Sequence, residues 1–213
     1  MVETLLDYFH RGGPLMWWIG GVALIALAIS AERIYSLYIK IKLWFNPVKL
    51  VENTIKIIEE KGVKEAIDYL NRQKNPVANV LAAGLEKAGK SKAVVEEAME
   101  RRASKELAFL DRGMIFISAA VTLAPILGFM GTVTGMIRAF DAIAKAGEVE
   151  PTVVSAGISE ALITTAFGLI VAAPFAFLYS VFMSRINSFQ KKMEEASNYL
   201  LEYLLESGVI REM

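Results

Sequence analysis

The sequence predicts an all-α integral membrane protein with three transmembrane helices, the second and third extended into a cytoplasmic helical bundle. Two observations carry this. Of the 213 residues 54% are hydrophobic, and they gather in three blocks with polar residues filling the gaps. Each block is also long enough to cross a bilayer, which takes about 20 apolar residues. Positions 151–184 show it best: they are apolar, small or hydroxyl-bearing, with one ionisable group, Glu160. A carboxylate inside such a run costs at least about 2.5 kcal/mol on insertion scales, so it asks for a structural or functional reason.

Residues 1–14 are a periplasmic or interfacial lead-in, with Leu5, Leu6, Tyr8 and Phe9 able to lie in the interface and Asp7 and Arg11 in water. Gly12-Gly13-Pro14 ends it. Glu3 and Asp7 stand where a signal peptide would be basic, so the first apolar block is expected to be retained. The first span is 15–39, with Trp17 and Trp18 at one end and Tyr35, Tyr38 and Trp44 at the other, as in an aromatic belt. Glu32 and Arg33 lie near its far end, where a long side chain can snorkel.

Residues 40–112 read as a cytoplasmic helical region. Asn46-Pro47 starts a helix and Gly62 stops it. A second follows from Val63 to before Asn75-Pro76, and a third from there to Gly89. Ser91 caps a fourth, which reads without a break into the second span, 113–140. A connection at 141–151 leads to the third span, 152–184, and 185–213 continue as a cytoplasmic helix with an apolar stripe through Ile186, Phe189, Met193, Ala196, Leu200 and Tyr203. Basic residues crowd the ends facing the large loop and the C-terminus: Lys40 and Lys42, Arg101, Arg102 and Arg112, then Arg185, Lys191 and Lys192. By the positive-inside rule the N-terminus is outside and the C-terminus inside.

Several functions are excluded or left without support. The 23 basic and 23 acidic residues cancel, giving no basic excess for nucleic acid. With no cysteine there is no thiolate chemistry or sulfur-ligated metal, and the single histidine, His10, reads as a solvated interfacial residue. No phosphate loop, nucleophile triad or zinc spacing appears, so neither enzymatic activity nor a cofactor is expected.

On an ideal helix Glu160, Gly157, Ala161, Thr164, Thr165, Gly168 and Ala172 fall in one arc of about 140°. Leu162, Ile163, Leu169 and Ile170 take the other side. In the second span Ala124, Pro125, Gly128, Gly131, Thr132, Gly135 and Ala139 fall within about 60° of Gly128. Small faces permit close helix approach, and Pro125 and Pro174 invite kinks. Tight packing and a polar, ion-conducting lining both fit such faces. Away from their ends the spans contain no aspartate, lysine, histidine or second carboxylate beyond Glu160, so a proton path would need a carrier from a partner chain.

The segments LAPILGFMGTVTG (123–135), GISEALITTAFG (157–168) and AAP (172–174) resemble the signature of the ExbB/TolQ/MotA proton-channel family, nearest its ExbB/TolQ branch. The resemblance implies an inner-membrane homopentamer, not an enzyme, whose second and third spans line a pore and which carries protons without a cofactor. It implies an ExbD/TolR-like single-span partner bearing the proton-binding aspartate, and a TonB/TolA-like periplasm-spanning protein beyond it. Thr132 matches the threonine of G-T-V-x-G, and Thr165 the threonine following E-A-L-I; both are expected to line the pore. Glu160 matches the family's intramembrane glutamate, and Pro125 and Pro174 its two prolines. Thr164 departs from the pattern, since this branch often has alanine there, and it joins Thr132, Thr165 and Glu160 as a candidate. Gly128, Gly131, Gly135, Gly157 and Gly168 are the expected packing positions. A structural scaffold that assembles the complex without lining the proton path is the alternative.

Overall fold

The structure, a computed structural model, describes residues 2–40, 46–73, 75–146 and 151–212, and they are almost wholly helical. Trp44, assigned above to the end of the first span, and residues 147–150 of the connection between the second and third lie outside the described residues. In order the helices are α1 (Val2–Arg11), α2 (Leu15–Ile34), continued by a π-helical segment Tyr35–Lys40, α3 (Pro47–Lys61), α4 (Val63–Arg72), α5 (Pro76–Leu85), α6 (Lys92–Asp111), α7 (Met114–Ala146) and α8 (Pro151–Glu206). Among the described residues three stretches are long and apolar enough to span a membrane: Leu15–Leu37, Met114–Lys145 and the apolar part of Val154–Glu206. Pro125 and Pro174 lie inside α7 and α8, each of which continues through its proline.

The chain divides into two compact units. The first comprises Met1–Glu32 and Gly113–Val181, the second Arg33–Arg112 and Phe182–Met213. In the first, large apolar side chains face outward: Trp17 and Trp18 are each 69% exposed, and Phe129, Leu162, Ile170 and Phe177 are exposed as well. It buries a row of small residues, Ala120, Ala124, Ala139, Ala161 and Ala172, together with a few larger ones, Met16, Ile19, Ile117 and Phe175. The outward apolar face suits a lipid surround, where outward leucine and phenylalanine carry no penalty.

The second unit is built as water requires. In α3 the Asn46 side chain accepts hydrogen bonds from the amides of Val48 and Lys49, Pro47 takes the first turn, and Gly62 ends the helix at φ +91°. Asn75 caps α5 in the same way through the Val77 amide at 2.9 Å. Val51, Leu70, Val77, Leu81 and Leu85 are buried, joined from α8 by Phe182, Ile186, Phe189, Met193 and Leu200. Tyr203, the last residue of the expected stripe, is half-buried, and its hydroxyl lies 3.4 Å from a Glu59 carboxylate oxygen.

Four expectations are corrected here. The helix expected to run unbroken from Ser91 into the second span is two helices: α6 ends at Asp111, and Gly113 at φ +87° separates it from α7. A residue in that left-handed conformation cannot continue a right-handed helix. The third helix of the loop stops at Leu85, and turns occupy 86–90. Ser91 stands at the N-cap of α6, but its side chain makes no capping bond. The Lys92 amide is instead satisfied at 2.7 Å by the carbonyl of Arg211, from a C-terminal tail that also receives the Gly89 amide on Val209. Finally, Arg33 does not snorkel. It is 4% exposed, and its guanidinium donates to the carbonyls of Phe109 and Leu110 in the last turn of α6. A cation there satisfies carbonyls that have no helical partner.

Candidate functional site: the seam between α7 and α8

Small residues recur every three or four positions on α7 (Ala120, Ala124, Gly128, Gly131, Gly135, Ala139) and on α8 (Gly157, Ala161, Thr164, Gly168, Ala172), and all of them are buried. The two rows face each other at backbone distance. A Cβ added at Gly128 would lie 3.1 Å from the Thr164 carbonyl oxygen and from Thr165 Cα. At Gly168 it would lie 2.5 Å from the Ala124 carbonyl oxygen, and at Gly135 2.8 Å from that of Gly157. Glycine is required at these crossings because main chain, which cannot rotate aside, is the obstacle.

The seam has two edges, and each carries polar side chains. On one, the Thr165 hydroxyl is hydrogen-bonded to the Gly128 carbonyl at 3.0 Å and to its own helix at Ala161, 3.1 Å. Thr132 lies one turn beyond Gly128, about 40° from it around α7. Its hydroxyl donates to the Phe129 carbonyl at 2.7 Å. Both threonines are half-buried, so each keeps a face open at this edge. Each donates its single hydroxyl proton to main chain, which leaves oxygen lone pairs for an incoming donor.

The other edge is closed by the N-terminal turn. Thr164 has no exposed surface; its hydroxyl bonds the carbonyl of Glu160 and approaches that of Gly12 at 3.4 Å. A Cβ added at Gly131 would lie 2.5 Å from Thr164 Cβ. The Glu160 carboxylate rests against Gly13, whose φ of +73° and missing side chain make room for it. Arg138 of α7 forms an ion pair with Glu160. Beside them Arg11 donates to the Ser159 hydroxyl at 3.0 Å and lies 3.6 Å from Asp7. The Glu160 side chain is 19% exposed and that of Arg138 53%.

Helical projection puts Thr164 and Thr165 side by side; the packing sends them to opposite edges. Thr164 goes with Glu160 toward the Gly12–Gly13 turn, and Thr165 goes with Thr132. Two participants could not be assigned from the sequence. Arg138 was visible only as a charge near the end of the second span. Gly13 looked like a helix breaker, with the lone hint of its role being a paired glycine ahead of a proline. Among the described residues no group of three or more histidine or acidic side chains is arranged to hold a metal.

A family model described as the MotA/TolQ/ExbB proton channel family matches residues 72–195, which include most of the seam and α6. A biopolymer transport ExbB homolog of Methanothermobacter thermautotrophicus is 30% identical over 191 residues, covering 90% of this chain and 67% of the relative. An ExbB-like biopolymer transport protein of Synechocystis is 32% identical over 183 residues, covering 84% of this chain and 71% of that one. Among solved structures, C. jejuni MotAB superposes with a TM-score of 0.64 over 96% of this chain and 84% of the other, at 18% identity, a likeness of fold. With three membrane-length helices and a family match over more than half its length, the chain is a membrane protein belonging to the MotA/TolQ/ExbB family of proton-channel subunits, not of enzymes.

Proposed function

We propose that this chain is the channel-forming, stator-like subunit of an inner-membrane complex that couples the proton-motive force to work across the periplasm. It sits with its N-terminus outside and C-terminus inside, as a homo-oligomer, a pentamer by family resemblance. Protons are its transported ion and no cofactor takes part. Its second and third spans surround an ExbD/TolR-like single-span partner whose aspartate carries the proton, and a TonB/TolA-like protein extends the complex toward the outer membrane. The observation that supports this reading best is that two half-buried threonines, Thr165 bonded across the seam to the Gly128 carbonyl and Thr132 bonded to the Phe129 carbonyl one turn along α7, stand at the same open edge.

The chemistry follows from what a hydroxyl can do. A protonated aspartate must donate a hydrogen bond, and the lone pairs of Thr132 and Thr165 accept it. An ionised aspartate only accepts, and either threonine can then turn its proton from the main chain to the carboxylate. A hydroxyl edge therefore accommodates both states of a carrier without itself titrating. Glu160, held by Arg138 on the other edge, is assigned to anchoring the third span to the N-terminal turn. Thr164, enclosed between the helices, supports that edge from within.

A scaffold reading has its own support, because every threonine bond described above goes to main chain and serves the fold as it stands. The two readings separate in the double variant Thr132→Ala with Thr165→Ala, co-expressed with the partner and reconstituted in vesicles. Losing a hydrogen bond to a charged group costs about 1.5–3 kcal/mol, so proton flux should fall at least about tenfold while the complex still assembles. Unchanged flux in an intact complex would leave this chain a scaffold.

A further inference from the structure

We propose that α6 joins neighbouring copies of this chain head to tail, an acidic groove on one side of the helix receiving the basic face on the other side of the same helix in the next copy. The inference rests on the homo-oligomer reading and adds the surface that closes it outside the membrane. The groove lies between α6 and the second half of α8, with a volume of about 690 Å³. Met99, Leu107, Met193 and Leu201 line its apolar floor. Its rim carries Glu96, Glu100, Asp111 and Glu194, and no lysine or arginine lines it. All four carboxylates are exposed, and none has an ion-pair or hydrogen-bond partner among the described residues.

The other face of α6, against α5, holds a second concavity of about 420 Å³ with the opposite balance. Lys87, Arg101, Arg102 and Lys105 stand there against Glu86 and Glu97. Glu97 is taken by Arg101 at 2.6 Å, and Arg102 pairs with Glu106 at 2.8 Å. Lys87 and Lys105 have no partner among the described residues, and the buried Arg102 Nε has no acceptor. Glu100 and Lys105 are about 140° apart around the helix. Two complementary surfaces on different sides of one element form a heterologous contact, which closes into a ring when the rotation permits. Like charges gathered on a rim repel in the isolated chain, and the neighbour's cations relieve both sides at once. The apolar floor adds the desolvated centre that a rim of charges lacks.

The absence of cysteine from the sequence makes the test clean. Ser104 lines the groove and Ala98 the basic face. In the membrane-assembled complex, Ser104→Cys with Ala98→Cys in one chain should give an oxidised ladder up to the full ring, while neither single variant cross-links. Glu100→Lys or Lys105→Glu, added alone, should lower ladder yield about tenfold, and the two reversals together should recover most of it. Dimers from a single cysteine variant would mean a self-complementary contact and overturn the proposal. So would a ladder indifferent to both reversals, or no ladder from a complex whose native mass is oligomeric. A monomeric unmodified protein would instead remove the oligomer reading, and this proposal with it.

Discussion

The two halves of α8 keep one rhythm and bury opposite kinds of side chain. Up to Ala172 the enclosed positions, every three or four residues, are Gly157, Ala161, Thr164, Gly168 and Ala172; from Phe182 onward they are Phe182, Ile186, Phe189, Met193, Ala196, Leu200 and Leu204, all large but Ala196. The outward faces reverse as well: Leu162, Leu169, Ile170 and Phe177 on the first half, Lys191, Glu194, Glu195 and Glu202 on the second. Periodicity sets which face is buried, whereas the solvent sets what that face is made of. In water, burying apolar area yields about 25 cal/mol per Å², so large side chains go inside. Lipid chains are as apolar as leucine, so that gain disappears between spans and close approach with cross-helix hydrogen bonds takes its place.

Removing bulk should therefore injure the second half most. Phe189, 1% exposed, changed to Ala should cost about 3–5 kcal/mol through a cavity beside α8, seen as a fall in the thermal midpoint of the purified protein. A loss under 1 kcal/mol would mean the second unit is not packed as a water-soluble core. Adding bulk should injure the first half. Gly168→Ala drives a methyl against the Ala124 carbonyl oxygen and should cost about 1–3 kcal/mol.

The same substitution at Gly84 in α5 sharpens the contrast. There the added methyl meets the Met99 side chain from its terminal methyl back to Cγ at 2.8 Å, and a flexible side chain can change rotamer where main chain cannot, so the loss should be smaller than at Gly168. Equal losses at Gly84 and Gly168 would remove the distinction between main-chain and side-chain contacts. The smallest effect belongs to the seam's charged edge. Arg138 is more than half exposed, so Glu160→Gln should cost at most about 1 kcal/mol and leave proton-driven activity standing. Abolished flux in a stable Glu160→Gln complex would move the titrating role to Glu160.

Much of the architecture was legible in the residues because the signals are local. Three apolar blocks with few charges specify three membrane-length helices, and Asn46-Pro47, Gly62 and Asn75-Pro76 mark helix ends through side-chain capping and fixed φ angles. The break at Gly113 was missed because an isolated glycine within a helical pattern can be tolerated or can adopt positive φ, and periodicity does not distinguish the two. Arg33 was misread for a different reason. Its guanidinium is buried against carbonyls some 76 residues away in the chain, which no local pattern encodes.

The sequence by itself determined the spans, the small-residue faces of α7 and α8, and the family, because hydrophobicity, helical period and short motifs are properties of consecutive residues. Only the tertiary structure decided which edge each polar group occupies: Thr165 on the Gly128 carbonyl at the edge where Thr132 lies, Thr164 sealed inside, and Glu160 held by Arg138 over Gly13. Adjacent residues on a helix differ by 100°, and a seam between two helices is narrower than that. Which of the two threonines falls on which side of the seam is fixed by the neighbouring helix and turn, not by their own positions in the chain.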